Sequence, residues 1–187
     1  MKNKIRKQLL ESRKKLSKKE IFKKSKKIKE KLFEIKEFKQ ASTILFYVSY
    51  GSEVYTHYMI KECISKNVKV IVPVSVKKTR SLILSELKSW DDLETGSYGI
   101  LEPKKDKIKE IPLDKIDIII VPGVGFDKHG RRIGHGKGYY DNLLKKAKKV
   151  LFVGLSFEIQ IVDEIPTDSH DFPVHIIITE NRLIYCS

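Results

Sequence analysis

Cysteine is almost absent: Cys63 and Cys186 are the only two in 187 residues. Two cysteines cannot form a disulfide framework, nor hold a zinc ion by themselves. No stretch reaches the ~18 consecutive apolar residues of a membrane-crossing helix. The opening MKNKIRKQLL also lacks the apolar core of a secretory signal. A cytoplasmic, monomeric protein with no membrane partner is therefore expected. No serine or cysteine stands in a nucleophile elbow, so covalent catalysis has no support. His57, His129, His170 and His175 show no metal-ligand spacing. Neither an internal repeat nor a linker breaks the chain, which predicts a single domain over residues 1–187.

Acidic residues are outnumbered, 24 against 38 Lys and Arg, for a formal charge of +14. Residues 1–39 hold 17 of the basic residues and only 5 Glu, leaving a nearly balanced 21 against 19 in the rest. The excess belongs to a basic helical segment, 1–39, packed on the domain. Most of its lysines read as a solvated helix face; the alternative is a nucleic-acid-binding surface, which would be steeply salt-dependent. No helix-turn-helix or RNA-binding aromatic signature supports that alternative.

Two helices open the chain. Ile5, Leu9 and Leu16 fall near helical spacing, and SKKE at 17–20 is a capping box for a second helix. Its apolar stripe runs through Ile21, Ile28, Leu32 and Phe33 to Ile35 and Phe38. TILFYV (43–48) reads as a buried strand, followed by a helix over roughly 54–66 and a strand from 68. LILSEL is a further candidate strand, and WDDLETGSYGILEPKK a long turn-rich loop. IDIIIVP (116–122) is the strongest strand; VLFVGLS (150–156) is another, and VHIIIT and LIYC form a closing hairpin. Apolar runs alternating with helices predict an α/β fold with a mainly parallel sheet covered on both faces.

Glycine is scarce, ten in all, yet six fall between Gly123 and Gly138 in VPGVGFDKHGRRIGHGKGYYDNLL. This loop leaves the carboxyl end of the strongest strand, where ligands bind in such sheets. Gly134, Gly136 and Gly138 alternate with His135 and Lys137 just before a helix. Bare backbone N–H groups and a helix N-terminus suit phosphate, and Lys137, Arg131 and Arg132 add positive charge. Asp141, in the following helix, suits Mg²⁺ beside bound phosphates. Standard fingerprints fail: Arg131 stands where a P-loop needs its first glycine, and the spacing by two breaks G-x-G-x-x-G. A phosphate cradle and a merely tight strand-to-helix connection both remain open. Glu53 is a ligand-facing carboxylate or a helix-start acid favoured by the dipole. Asp171 is a metal ligand or a turn cap. Lys2 and Arg6, four apart, are an anion clamp or a solvated face.

PGVGFDKHGRRIGHGKGYYD closely resembles the signature of the 5-formyltetrahydrofolate cyclo-ligase family, P-G-x-x-F-D followed by R-[LI]-G-R-G-x-G-Y-Y-D. KNKIRKQLLESRKKLS, YVSYGSEVYT, YGILEP and DEIPTDSHDFPVHIIITE extend the resemblance over essentially the whole chain. It implies a three-layer α/β/α sandwich, Rossmann-like, and an ATP- and Mg²⁺-dependent ring closure of 5-formyltetrahydrofolate; the basic N-terminal face would favour polyglutamylated forms electrostatically. Carried over by position, ATP would meet Lys2, Arg6, Arg132, Ile133, Gly134, His135, Gly136, Lys137, Gly138, Tyr139 and Tyr140. Mg²⁺ would involve Asp141 and Asp171. The folate would meet Val48, Glu53 and the loop from His135 through Gly136, Lys137 and Gly138 to Tyr139. His135, Lys137 and Tyr139 are the catalytic candidates. His135 departs from the family's usual Arg, which exchanges a permanent charge for a pH-dependent one.

Overall fold

The computed structural model describes residues 1–166 and 171–186, so His170 lies outside the described residues. Five helices and twelve strands are found among them: α1 (Lys2–Lys14), α2 (Lys18–Glu34), α3 (Lys36–Gln40), α4 (His57–Ser65) and α5 (Tyr139–Lys146). The strands are β1 (Thr43–Leu45), β2 (Lys69–Val76), β3 (Ser81–Leu87), β4 (Leu93–Thr95), β5 (Leu101–Pro103), β6 (Ile118–Val121) and β7 (Gly125–Asp127), followed by β8 (Arg132–Ile133), β9 (Leu151–Leu155), β10 (Ile161–Val162), β11 (Ile176–Ile178) and β12 (Leu183–Tyr185).

Seven strands form the central sheet in the order β12-β11-β9-β6-β1-β2-β3. The five inner strands are parallel, and antiparallel β3 and β12 close the edges. Successive side chains alternate between two cores, as the strand period requires. Ile44, Phe46, Val70, Val72, Ile118, Ile120, Val153 and Leu155 pack with α2, α3 and α4. Leu45, Ile71, Ile119, Val121, Phe152 and Ile177 pack with Leu143 and Leu144 of α5. The result is the three-layer sandwich expected from the sequence.

Local signals explain the elements. In the capping box the Glu20 N–H donates to Ser17 Oγ (3.2 Å) and the Ser17 N–H to Glu20 Oε2 (2.8 Å). Ile21, Ser25, Ile28 and Leu32 then fall on the buried face of α2. The expected stripe to Phe38 is broken: Ile35 is extended (ψ 140°), ending α2 and starting α3. Both Ile35 and Phe38 remain buried across that bend. Strand β1 is shorter than expected, and its ladder stops once the Phe46 N–H donates to Ile71 O (2.9 Å).

Two further corrections concern regions read as loops. Residues 93–103 contain the β4–β5 hairpin. Within the glycine segment, β7 pairs with β8 and β10 in a second, three-stranded sheet. Helix α1 seals this small sheet through Leu9, which clusters with Val124, Ile133 and Ile165.

β1 runs to β2 through α4 on one face, and β6 to β9 through α5 on the other. β1 and β6 are neighbours, so the chain diverges between their carboxyl ends, the switch point where open α/β sheets leave a crevice.

Candidate active site

Two loops meet at that crevice. The first follows β1 and is clasped by a pair of side chains: the Ser49 N–H donates to Thr56 Oγ1 and the Thr56 N–H to Ser49 Oγ, both 3.0 Å. The clasp presents residues 50–55. Glu53 folds back to accept the Tyr50 N–H (2.9 Å), and its other oxygen faces His135 Nε2 at 3.5 Å. His57 donates from Nε2 to Ser49 O (2.9 Å) in its neutral form, and burial lowers its pKa.

The second loop is the glycine segment. Asp127, fully buried, accepts the N–H groups of His129 (2.9 Å), Arg131 (3.1 Å) and Ile165 (2.9 Å). This carboxylate pins the turn between β7 and β8. The glycines divide by task. At Gly123 a Cβ would lie 2.4 Å from the buried Phe126 ring, and at Gly125 one would lie 2.3 Å from Leu9. These two permit close packing. Gly136 (φ +84°) and Gly138 (φ +77°) instead carry left-handed backbone into α5, a conformation costly for any residue with a Cβ.

Arg132 organises the cradle. Buried at 8% exposure, it donates from Nη2 to Asp141 Oδ1 (2.5 Å) and from Nη1 to Pro122 O (3.2 Å). Its Nε and the Tyr140 hydroxyl are buried without a hydrogen-bond partner. Orphaned buried donors are costly, and beside a helix N-terminus they mark a place for an incoming acceptor. Burial, reinforced by Glu53, pushes the Tyr140 phenol well above its ordinary pKa, so it stays a donor. From α1, Arg6 donates to Gly134 O (2.8 Å), and its guanidinium lies beside Gly136. Lys2 pairs with Asp171.

The sequence-derived residues therefore converge from four segments. Lys2 and Arg6 reach the loop from α1, and Arg132, Gly134, Gly136, Gly138, Tyr140 and Asp141 form one cradle. His135 faces Glu53 across the crevice. Lys137 places its ammonium 3.1 Å from the centroid of the Tyr98 ring, and Tyr139 meets the Tyr98 hydroxyl at 3.3 Å. Two side chains are turned away from the crevice: Val48 is buried in the main core and Ile133 under α1. Only their backbones are available to a ligand.

Among the described residues no three His, Cys, Asp or Glu side chains converge on a preformed metal cage. Mg²⁺ held chiefly by water and phosphate needs only one or two carboxylates, and Asp141 and Asp171 lie at the cradle and at α1. The donor set thus fits a polyphosphate, with Mg²⁺ carried on it.

Sequence reasoning missed Arg13. At 4% exposure it donates to Ser52 Oγ (3.1 Å) and reaches Gly123 O (3.5 Å), tying α1 to both loops. Burial lowers its pKa, while the negative charge of Glu53 works in the opposite direction. Glu102 of YGILEP was also missed. Its carboxylate accepts the Ser75 N–H (2.9 Å) and the Ser97 N–H (3.2 Å), joining strand β2 to the Tyr98 turn.

The profile of the 5-formyltetrahydrofolate cyclo-ligase family matches residues 1–180. A 5-formyltetrahydrofolate cyclo-ligase of Haemophilus influenzae is 34% identical over 146 residues, 76% of this chain and 78% of the relative. The mouse cyclo-ligase is 29% identical over 187 residues, 95% of this chain and 92% of the relative. Among solved structures, the 5,10-methenyltetrahydrofolate synthetase of Aquifex aeolicus superposes with a TM-score of 0.87 at 33% identity, covering 98% of this chain and 92% of that one. The crevice, the cradle and this likeness along the whole chain agree: the protein belongs to the 5-formyltetrahydrofolate cyclo-ligase family.

Proposed function

We propose that the protein closes 5-formyltetrahydrofolate to 5,10-methenyltetrahydrofolate at the expense of MgATP, releasing ADP and phosphate. The observation that carries the ATP requirement is the cradle at the start of α5. There Arg132 Nε and the Tyr140 hydroxyl are anion-binding donors that the fold itself leaves unused, beside the left-handed glycines. ATP supplies the chemistry of a leaving group: phosphorylation of the formyl oxygen lets N10 of the folate attack that carbon, with loss of the N10 proton and departure of phosphate. No nucleophilic side chain is required.

The protein's part is alignment and charge stabilisation. Lys2, Arg6 and Arg132 bind the polyphosphate, and the N–H groups entering α5 receive its terminal oxygens. Asp141, with Asp171, would supply oxygen ligands to Mg²⁺, which would neutralise phosphate charge when bound. Glu53, within reach of His135, orients the folate from the opposite wall, next to Lys137 and Tyr139. We further propose that the enzyme acts as a cytoplasmic monomer on a small-molecule substrate, without nucleic acid or membrane. No helix among the described residues is long and apolar enough to cross a membrane.

A spectrophotometric assay of methenyl product, with and without MgATP, tests the reaction. Product is expected only with MgATP, and Asp141→Ala is expected to abolish it while the protein stays folded. Ring closure without ATP would overturn the role given to the cradle.

A further inference from the structure

The turn between β2 and β3 takes no part in the interactions described so far, yet it is fastened to the site at two points. Asn142 of α5 donates from Nδ2 to Arg80 O (3.1 Å), docking the hairpin tip on the helix that begins at the glycine loop. Glu102 holds the other side, joining Ser75 of β2 to Ser97 in the Tyr98 turn. Two residues in this region, Arg80 (φ +50°) and Tyr98 (φ +60°), adopt left-handed backbone despite carrying a Cβ. Conformations of that kind persist where the surroundings fix them.

The tethered tip carries positive charge to one place. Lys77 of the hairpin puts its ammonium 4.9 Å from the Tyr98 ring centroid, and Lys137 of the glycine loop lies 3.1 Å from the same centroid. Arg80 contributes to the same positive field. The Tyr98 phenol is held below its ordinary pKa, first by its bond to Tyr139; desolvation opposes this, and Lys137, Lys77 and Arg80 each add a smaller lowering. The nearest acid on this side, Glu102, already accepts two backbone N–H groups. Among the described residues no carboxylate lies within ion-pair distance of Lys77, Arg80 or Lys137. Three cations held together with no counter-ion repel one another, and an anion arriving at the site relieves that repulsion.

We propose that Lys77 and Arg80 of the β2–β3 hairpin, together with Lys137 across the Tyr98 ring, form a second anion subsite on the side of the glycine loop away from α1. It takes an anionic group of a substrate, either a carboxylate of the folate's glutamate portion or a phosphate of the nucleotide. This subsite rests on the reaction proposed above for its substrates, but not for its existence, because binding reads it directly.

The test is a double variant, Lys77→Ala with Arg80→Ala, in the full-length protein. Equilibrium binding of 5-formyltetrahydrofolate and of MgATP is measured separately at low and high salt, and a thermal melt reports folding. Two exposed ion pairs, each worth a factor of about three, predict about a tenfold loss of affinity. The loss should shrink at high salt, and Lys77→Arg in the Arg80→Ala background should recover part of it. Weakened folate binding with unchanged MgATP binding assigns the subsite to the carboxylates; the reverse assigns it to the phosphates. Unchanged affinity for both ligands in a folded variant overturns the proposal. A protein that binds both ligands yet forms no methenyl product would defeat the reaction and leave the subsite standing.

Discussion

Gly123 and Gly138 lie in one glycine-rich motif but are required for different reasons, and alanine separates them. At Gly138 nothing lies within 4 Å of an added Cβ, so there is no clash. The whole cost comes from the left-handed backbone (φ +77°, ψ +2°) at the start of α5, about 1–2 kcal/mol for an L-residue. For a domain of this size that is roughly 2–8 °C in Tm. Relaxing the strain rotates the peptides that enter the helix, so an N–H to a charged phosphate is lost. Such a bond is worth about 1.5–3 kcal/mol, at least roughly tenfold in the KM for MgATP. At Gly123 the opposite holds. Its backbone is ordinary, but the Cβ would sit 2.4 Å from two atoms of the Phe126 ring. That ring is fully buried, and on its other side a Cβ at Gly154 would approach it to 2.7 Å. It cannot step aside, and overpacking of this kind costs about 1–3 kcal/mol or more. Gly123→Ala should therefore lower Tm while the folded enzyme keeps its KM for MgATP. Adding Phe126→Leu should restore part of the lost stability, and should restore none in Gly138→Ala. The assays are thermal melts and initial-rate kinetics on the four variants. An unchanged MgATP KM in Gly138→Ala, or no rescue of Gly123→Ala by Phe126→Leu, would refute the division of labour.

Two further predictions concern histidines. The His135–Glu53 contact at 3.5 Å is an ion pair only when the imidazole is protonated, so a permanently charged guanidinium at this position should strengthen it. His135→Arg should lower the KM for 5-formyltetrahydrofolate in initial-rate kinetics, and an unchanged KM would remove His135 from the site. His175 accepts the Phe152 N–H at Nδ1 (2.9 Å) and stacks on the Phe152 ring, and burial lowers its pKa. A depressed folded pKa means a contribution present above the unfolded value near 6.5 and lost as pH falls below it. Tm should drop on acidification from pH 7 to 5, less steeply in His175→Asn; equal slopes would show that the neutral imidazole contributes nothing.

The sheet was legible because its strands are buried on both faces. Ile118–Val121 and Leu151–Leu155 have no polar residue to spoil the run, and their apolar side chains find one core or the other. The second sheet was not legible. β7 and β8 are three and two residues long, too short for a period, and β7 consists of Gly, Phe and Asp. It is held by the Asp127 carboxylate and the approach of Leu9 to Gly125. Neither is a hydrophobic pattern; both depend on segments distant in sequence. The break at Ile35 escaped for a related reason, since Ile35 and Phe38 satisfy the stripe whether or not the helix bends.

The N-terminal charge shows most clearly what composition hides. Seventeen basic residues in 1–39 invite one explanation for all, a solvated face, and for most lysines of α2 the exposure agrees. Only two of the seventeen are arginine, Arg6 and Arg13, seven apart and so on one face of α1, flanking the buried Leu9. Lysine fills solvated faces, whereas arginine's planar fork and weaker hydration suit a donor that must be buried. Both arginines enter the crevice: Arg6 binds Gly134 O, and Arg13 joins Ser52 to Gly123 O. Elsewhere in the chain Arg132 does the same from β8. The charge excess of the segment carries little functional information; its choice of arginine over lysine at two positions carries a great deal.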